Sequence, residues 1–441
     1  MKKMFFFALA AAGMLTACSN DDTLGGNGEQ NVSEQQIRLG VASSKVQTRG
    51  TGTVGGMTDD DNKWAGQTLW VYMLQKGSMD LALYKAPAAG GVATPDVEVF
   101  NNKEFKAPTT ADNTKSGLAT TADGTIAYYP VSGNYDFWGY RVDDAAVGGT
   151  PTVKIVDDNG DEVTADHMDQ ATKRVVDIKI DGSQDIMAGK AAPSADEVTK
   201  LGGYADNFYS AYAARKGVQP NITFNHLLTR FTFEVRAGSK ATAGLPAGGN
   251  TDAVKVTGVS VGSKTTGTLT VAYTGATKKA AELLTFTGDA SPLILKQRDE
   301  AVADNNAPLV ALKPVTLTWT DDAATIGDVL KVGEALLVAP GETEYPLTIA
   351  LSQDVLQKVG ENKVTMPLEQ KATIKMDGTK TFEPGKSYKV TITVYGLEDI
   401  RVTATLVPWA DGGSIDIDDD RDPNNGKYTE PTPATPEPIE P

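Results

Sequence analysis

Apolar residues alternate with polar or small residues along most of the chain. The alternation starts at 37–46 and returns in many later segments, including 231–235 and 390–394. Because successive side chains of a strand point to opposite faces, this period of two predicts strands with one buried face. Segment 69–74 is apolar at every position, which predicts a strand buried on both faces. Turn pairs such as Asp377-Gly378 separate the segments, so the sequence predicts an all-β protein.

Two β-sandwich domains account for this pattern. The expected strands are short and bounded by turn residues, as in sandwich folds. Residues 141–220 are polar and poorly periodic, and strong alternation resumes at Ile222. We therefore predict an N-terminal sandwich domain over 34–218 and a C-terminal sandwich domain over 219–417.

A few segments lack the strand pattern. Short helices are expected only at 205–216 and 352–359. The end of the chain, 418–441, is acidic and then rich in proline. Such a segment cannot bury enough apolar surface to fold alone, so it predicts a disordered tail.

The beginning of the chain has the parts of a bacterial secretory signal. Two early lysines are followed by an apolar stretch and by Leu-Thr-Ala-Cys, which ends at Cys18. The apolar stretch is shorter than the ~20 residues of a membrane-spanning helix. Its ending resembles the lipobox, whose cysteine receives the lipid and becomes the mature N-terminus. We predict a signal peptide at 1–17, lipidation of Cys18 and a tether over 18–33. An ordinary signal peptide with a chance cysteine is the alternative.

Charge and composition exclude several classes of function. The 441 residues include 57 Asp and Glu against 41 Lys and Arg, a net charge of −16. A chain this acidic repels nucleic acid, so we predict no nucleic-acid partner. One cysteine and two histidines exclude disulfide frameworks, cysteine-based zinc sites and multi-histidine metal sites.

The residues that could carry chemistry are few, and each has a plainer interpretation. His226, near the end of a predicted strand, indicates a structural histidine, because no cysteine or nucleophile motif accompanies it. The acidic loop at 157–162 begins like a calcium loop but lacks the required Gly and Glu. The tryptophans mostly lie in alternating strands, which favours core packing over sugar binding. We predict no enzyme activity, no catalytic residue, no cofactor and no metal site.

A set of short motifs follows in a fixed order. After Cys18 and the first strand come Thr48-Arg49-Gly50, an aromatic run at 135–140, Asp-Ile-Met-Ala at 185–188, Phe-Asn-His-Leu-Leu-Thr-Arg-Phe at 224–231, Leu-Leu-Val-Ala-Pro at 336–340, Phe-Glu-Pro-Gly-Lys-Ser-Tyr at 382–388 and Trp409. Together these motifs resemble the fimbrillin family of Bacteroidetes, the subunits of type V pili. The resemblance extends from the first residue to the end of the second predicted domain.

The resemblance implies a fold and a maturation step. It implies two transthyretin-like sandwich domains of Greek-key type, and cleavage of a lipoprotein precursor after its first strand by an Arg-specific protease. The matching bond joins Arg49 and Gly50, in a glycine-containing stretch that a protease can reach. An ordinary loop arginine is the alternative. Loss of the first strand, with Ile37, Leu39 and Val41 on one face, would leave an apolar groove beside an unpaired sheet edge.

A neighbouring subunit could fill this groove with an extended segment. The resemblance implies that the donor is the C-terminal segment. Its candidate donor residues are Val402, Ala404, Leu406, Trp409, Ile415 and Ile417. The proline-rich tail is a poor donor, because proline cannot donate to a strand ladder. Either the donor lies upstream of the tail, or the protein is an accessory, anchor or tip subunit.

The sequence therefore predicts a structural or adhesive subunit of a cell-surface fimbria, exported as an outer-membrane lipoprotein precursor. Its expected partners are other fimbrial subunits, an Arg-specific protease and, through its lipid, the outer membrane. Host proteins or glycans are further candidates. A fimbrial anchor or tip protein is the alternative within the family. A surface glycan-binding lipoprotein, which would keep Cys18 and its first strand and act as a monomer, is the alternative from another class.

Overall fold

Strands dominate the structure, which is a computed structural model. It describes residues 37, 39–43, 68–85, 89–92, 96–106, 116–121, 127–142, 151–202, 208–239, 254–299, 301, 308–320, 322, 324–355, 363–375, 380–395, 400–407, 414–417 and 426–429. For 40–43, Ala89, Lys106, 116–121, Val355 and all residues from 400 onward, the description is limited to the backbone.

The strands are numbered in chain order. The first twelve are β1 (Leu39–Ser43), β2 (Thr68–Gln75), β3 (Leu83–Lys85), β4 (Asp96–Glu98), β5 (Lys103–Lys106), β6 (Ser116–Thr121), β7 (Tyr135–Val142), β8 (Val153–Val156), β9 (Lys173–Lys179), β10 (Ile186–Lys190), β11 (Asn221–His226) and β12 (Thr229–Ala237). The others are β13 (Val254–Ser263), β14 (Thr266–Tyr273), β15 (Leu284–Thr287), β16 (Ser291–Ile294), β17 (Lys296–Arg298), β18 (Leu309–Ala311), β19 (Val315–Thr316), β20 (Leu330–Val338), β21 (Glu344–Val355), β22 (Val364–Lys375), β23 (Ser387–Val394), β24 (Ile400–Val407), β25 (Ser414–Ile417) and β26 (Gly426–Thr429). The predicted all-β class is confirmed.

The described helices are short. They are α1 (Ala195–Lys200), α2 (Ala211–Arg215) and α3 (Ala280–Leu283), with 3-10 turns at Ala89–Gly91 and Ala165–Gln170. α1 begins at a capping box, in which the Ser194 hydroxyl accepts the Glu197 N–H and the Glu197 carboxylate accepts the Ser194 N–H. None of the helices in the described ranges has the length and apolar character that a bilayer crossing needs.

The two helix predictions have different outcomes. The helix expected at 205–216 is present only as α2. The helix expected at 352–359 is wrong for its described part, because Ser352–Val355 continue β21 and pair with β22, and 356–359 lie outside the described residues. The long antiparallel ladder between β21 and β22 fixes these residues in the extended conformation, and tertiary pairing overrides weak local preference.

One sheet is built from strands early in the chain. Its order is β1-β11-β10-β7-β2-β5-β6, and the path closes because β6 pairs back with β1. The strand β11 lies beyond the predicted domain boundary between 218 and 219, yet it pairs with β1 and β10. The division into two domains stays a prediction, since all described residues belong to one compact unit.

Two hydrophobic cores lie on opposite faces of β2. The first core contains Ile37, Leu39, Leu69, Val71, Met73, Phe100, Phe105, Tyr129, Phe137, Met187, Tyr209, Ile222 and Phe224 among its members. The second core contains Trp70, Tyr72, Leu74, Trp138, Tyr140, Ile186, Phe231, Tyr345, Phe382 and Tyr388 among its members. Because alternate residues of β2 enter different cores, the predicted burial of both its faces is confirmed.

The later strands form further sheets around the second core. Their orders are β20-β12-β23-β24-β25-β26 and β16-β13-β21-β22, with β19 beside β13. Four rings from different segments, Phe231, Tyr345, Phe382 and Tyr388, meet edge to face or tilted at centroid distances of 4.8 to 6.0 Å. A further sheet, β15-β14-β9-β8, joins strands from both sides of the predicted boundary.

The predicted disordered tail differs from the structure at one place. Residues Gly426–Thr429 form β26, which pairs antiparallel with β25. The other residues of 418–441 lie outside the described ranges.

Candidate assembly site

The first strand lies between two other strands and over the first core. β1 pairs parallel with β11, from Gly40 opposite Asn221 to Ser43 opposite Phe224. On its other side β1 pairs antiparallel with β6, from Leu39 opposite Ala119 onward. We call the space that β1 fills between β6 and β11 the slot. If β1 left the slot, hydrogen-bonding groups of both neighbours would lose their partners.

The predicted residues of the first strand occupy this slot. Ile37 and Leu39 are 7% and 1% exposed, and both pack in the first core. The Ile37 N–H donates to the Ala127 carbonyl at 2.9 Å, just before β1 begins. The backbone of Val41 pairs with Ile222 and Gly117. The slot is therefore apolar where its side chains are described.

Two glycines allow β11 to lie close to β10 and β7, which belong to the same sheet. A Cβ atom at Gly189 in β10 would lie 2.1 Å from the Thr223 carbonyl oxygen. A Cβ atom at Gly139 in β7 would lie 2.6 Å from the Phe224 ring. Real Cβ contacts are never this short, so glycine is required for β11 to close one wall of the slot.

The candidate donor residues lie at the other end of the chain. Val402, Ala404 and Leu406 belong to β24, which pairs with β23 along its whole length. Ile415 and Ile417 belong to β25, which meets β24 at the pair Thr405 and Ser414 and otherwise pairs with β26. β25 is thus less firmly attached to the sheet than β24.

Four predicted site residues lie outside the described ranges. They are Cys18, the predicted lipidation site, Arg49 and Gly50, the predicted cleavage site, and Trp409 of the donor set.

A buried charged cluster connects the slot region with the later strands. The His226 ring lies 3.0 Å from the Asp185 carboxylate, and both side chains are almost fully buried. Arg141 donates to the Asp185 carbonyl at 3.3 Å, and Arg230 donates to the Ser387 hydroxyl at 3.2 Å. Burial alone would raise the pKa of Asp185, but the charges and hydrogen bond of His226, with Arg141 and Arg230, hold it below its ordinary value.

The geometry of this cluster favours the structural interpretation of His226. Its Nδ1 atom is engaged by Asp185 inside the protein, away from any described cavity. Burial lowers the pKa of Arg230 to about 10, although Glu334 and Asp185 oppose that shift. The sequence shows 185–188 and 224–231 only as separate motifs. It does not reveal that Asp185 and His226 are partners. Charged residues inside apolar strand runs were the available signal.

A polar cavity lies at the end of β2 and the start of β7, apart from the slot residues. Its volume is about 600 Å³, and it is lined by Gln75, Lys76, Ser132, Gly133, Asn134 and Tyr135. The segment after β2 and the segment before β7 are joined here by a hydrogen bond from the Lys76 N–H to the Asn134 carbonyl, at 2.9 Å. Amide and hydroxyl groups that both donate and accept suit a ligand with many hydroxyls. Trp70 and Trp138, by contrast, are buried core residues, as predicted for most of the tryptophans.

Comparison with known protein families identifies the family of this chain. The family model described as fimbrillin-like matches residues 53–409. The chain therefore belongs to the fimbrillin-like family. No curated protein sequence matches it.

Solved structures that the chain matches come from Bacteroides and Porphyromonas species. One is described as a "putative cell adhesion protein" from Bacteroides uniformis, with 18% identity, coverage of 86% of this chain and 100% of that chain, and a TM-score of 0.38. Another is the fimbrial anchor protein Mfa2 from Porphyromonas gingivalis, with 9% identity, coverage of 85% and 99%, and a TM-score of 0.29. Membership of the family is based on the match to the family's sequence model. This membership makes the chain a fimbria-associated protein of the cell surface.

Proposed function

We propose that the chain is the lipoprotein precursor of a structural or adhesive fimbrial subunit, and that removal of β1 allows it to assemble. The observation that carries this proposal is the position of β1, which fills an apolar slot between β6 and β11. As the first strand that the structure describes, β1 can leave without the loss of any later described strand. The slot that remains can then accept an extended segment of a second subunit.

The free energy available to the incoming segment is substantial. Burying an aliphatic side chain contributes about 1.5–3 kcal/mol. The sites of Ile37 and Leu39 alone could therefore supply about 3–6 kcal/mol, before ordering costs. Backbone pairing with β6 and β11 fixes the register of the new strand.

The proposed donor is the C-terminal segment, with β25 as its most easily released part. β25 meets the rest of its sheet at Thr405 and Ser414, whereas β24 pairs with β23 throughout. Releasing β25 with β26 would therefore break fewer backbone contacts than releasing β24. A donor that included Val402, Ala404 and Leu406 would have to leave β23 first.

The proposed trigger is cleavage between Arg49 and Gly50 by an Arg-specific protease. The test is an Arg49→Ala variant produced in the native host or treated with an Arg-specific protease. We expect the variant to keep β1 and to stay monomeric, while the wild-type protein forms heat-resistant multimers. An Arg298→Ala variant, altered in the short strand β17, serves as the control and should assemble normally. Unchanged multimer ladders for Arg49→Ala would refute the trigger.

Glycan binding is the second candidate function, and the polar cavity favours it. Its lining by Gln75, Ser132 and Asn134 suits the hydroxyls of a neutral sugar. The test is ligand-observed NMR with glucose, galactose and N-acetylglucosamine as probes. Loss of the signal in Asn134→Ala, with Asn159→Ala unchanged, would support glycan binding. Absence of a signal from all three sugars would argue against it.

A further inference from the structure

The longest open sheet edge in the described part of the chain belongs to β22. This strand ends the sheet β16-β13-β21-β22, and all residues of Val364–Lys375 pair with β21 on one side. On the other side, no described strand pairs with it. β24 approaches from the opposite sheet, but its backbone pairs with β23 and β25. An edge of this length is a template for pairing with a further strand.

The other described edges of the larger sheets are short or irregular. β8, β15, β16 and β26 have four residues each. β20 is longer, but its register with β12 shifts between Phe231 and Phe233, and Gly333 lies at a φ angle of +61°. Short strands and bulges protect an edge from unwanted pairing. The register of β22 with β21 is unbroken, so its edge lacks this protection.

The odd-numbered residues of β22 turn their backbone groups outward. The Val259 carbonyl bonds to the segment after β16 at 2.9 Å, so the next residue, Ser260, faces β21 and its partner Thr348. Backbone groups alternate in direction along an antiparallel strand, so Ile349 faces Gln370 in β22. The residues of β22 on either side of Gln370 therefore face away from β21.

The side chains at these outward-facing positions select the partner. Pro367 is one of them, and its missing N–H costs the ladder with β21 nothing there. The next two outward-facing residues, Glu369 and Lys371, are exposed and oppositely charged. Charges on an edge oppose pairing with an arbitrary strand. A strand that pairs here must place an opposite charge against each of them.

A second copy of β22 meets this condition. When two copies run antiparallel about a twofold axis at Gln370, Glu369 of each copy faces Lys371 of the other. Met366, which is 42% exposed, then lies opposite Ile374 of the second copy and extends its apolar face. An axis moved by one residue, to Lys371, would instead place two lysines opposite each other.

We propose that β22 is a lateral association edge, which pairs antiparallel with β22 of a second copy of this chain. The pairing joins the two sheets that contain β22 into one continuous sheet. It goes beyond the proposed function, because it leaves β1 in place and β25 free. In assembled subunits it would join neighbouring fibres side by side.

Sedimentation velocity of the full chain with Arg49→Ala measures this association, because the variant keeps β1 and cannot assemble through the slot. We expect a reversible monomer–dimer equilibrium without detergent. Edge pairing is lost in detergent, so the variant still runs as a monomer on the gels that test the slot. Added to this background, Lys371→Glu or Glu369→Lys places like charges opposite each other. Each should raise the dissociation constant of the dimer at least about tenfold.

A mixture of these two variants gives the sharpest test, because every charge in a mixed pair again faces an opposite charge. The mixture should form dimers with the affinity of the parent chain. Lys375→Glu is the matched control, since it makes the same charge change on the same side of β22 but faces Thr365 of the second copy. It should leave the dimer intact.

Three results would overturn the inference: a parent chain that stays monomeric at every concentration, a mixture that does not associate, or equal weakening by Lys375→Glu. None of them bears on strand replacement at the slot, which the multimer ladders of the cleaved protein test separately.

Discussion

The two cores of this protein share β2, β7 and β10 but are closed in different ways. The first core is covered by β1, a strand of five residues near the start of the folded chain. The second core is enclosed by strands from the middle and later parts of the chain, and it contains the aromatic group around Phe231. The first core can lose β1, the first strand that the structure describes, without the loss of any later described strand. We therefore expect the incoming strand to enter at the first core, while the sheet beside the second core supplies the donor.

The largest expected effect concerns the second core. Phe231→Ala removes a fully buried ring that lies against four other rings, so it should lower the free energy of unfolding by about 3–5 kcal/mol. Urea denaturation of the precursor and of the cleaved protein measures this loss, which should be equal in both forms. A loss confined to one form would break the comparison, because the second core should not depend on β1.

The next effect concerns the charged cluster between the slot region and the later strands. Asp185→Asn leaves His226, Arg141 and Arg230 without their buried counter-charge, which should cost about 3 kcal/mol at pH 7. Because the folded pKa of Asp185 lies below its ordinary value of 3.8, the carboxylate stabilises the fold above that pH. This contribution disappears as the pH falls through the folded pKa.

Denaturation at several pH values tests both parts of that prediction. The free energy of unfolding should fall more steeply below pH 3.8 in the wild type than in Asp185→Asn. Asp177→Asn is the control, because Asp177 pairs with Lys154 at the exposed surface and should contribute less than ~1 kcal/mol. Equal effects of the two substitutions at pH 7 would contradict the buried role of Asp185.

A loss of stability that is limited to the intact precursor is expected at Leu39. Leu39→Ala should destabilise the precursor by about 2–5 kcal/mol, because it leaves a cavity in the first core. After cleavage the residue is gone, so the variant and the wild type should become identical in urea denaturation. Any difference that persists after cleavage would show that β1 stays in the slot.

The smallest effect concerns the wall of the slot. Gly189→Ala brings a Cβ atom into the Thr223 carbonyl, so β11 must shift at a cost of about 1–3 kcal/mol. Gly258→Ala in β13 is the control, because its Cβ would make an ordinary contact of 3.4 Å with Ala350. Thermal melts of both variants measure the difference. Equal melting temperatures would contradict the close approach of β11 to β10.

Much of the fold could be predicted because the burial of a strand's faces determines the alternation of apolar and polar residues in its sequence. The alternation at 231–235 and 390–394 matches β12 and β23, and the all-apolar run at 69–74 matches the doubly buried β2. The helix predicted at 352–359 was wrong, because local preference could not reveal the pairing of β21 with β22.

The parts of the site that depend on contacts between distant residues could not be predicted. The sequence identified Ile37 and Leu39 as one face of a strand, and both lie in the first core. It could not show that β11 would pair with β1, since strand pairing leaves no local signal.

N-terminal sequencing of subunits from polymer sheared off cells tests the central claim most directly. The account predicts that these subunits begin at Gly50 and therefore lack β1. Monomeric precursor from the same cells should still contain residues 37–43. Polymer subunits that begin at Cys18 and retain β1 would contradict the account, because the slot would then never open.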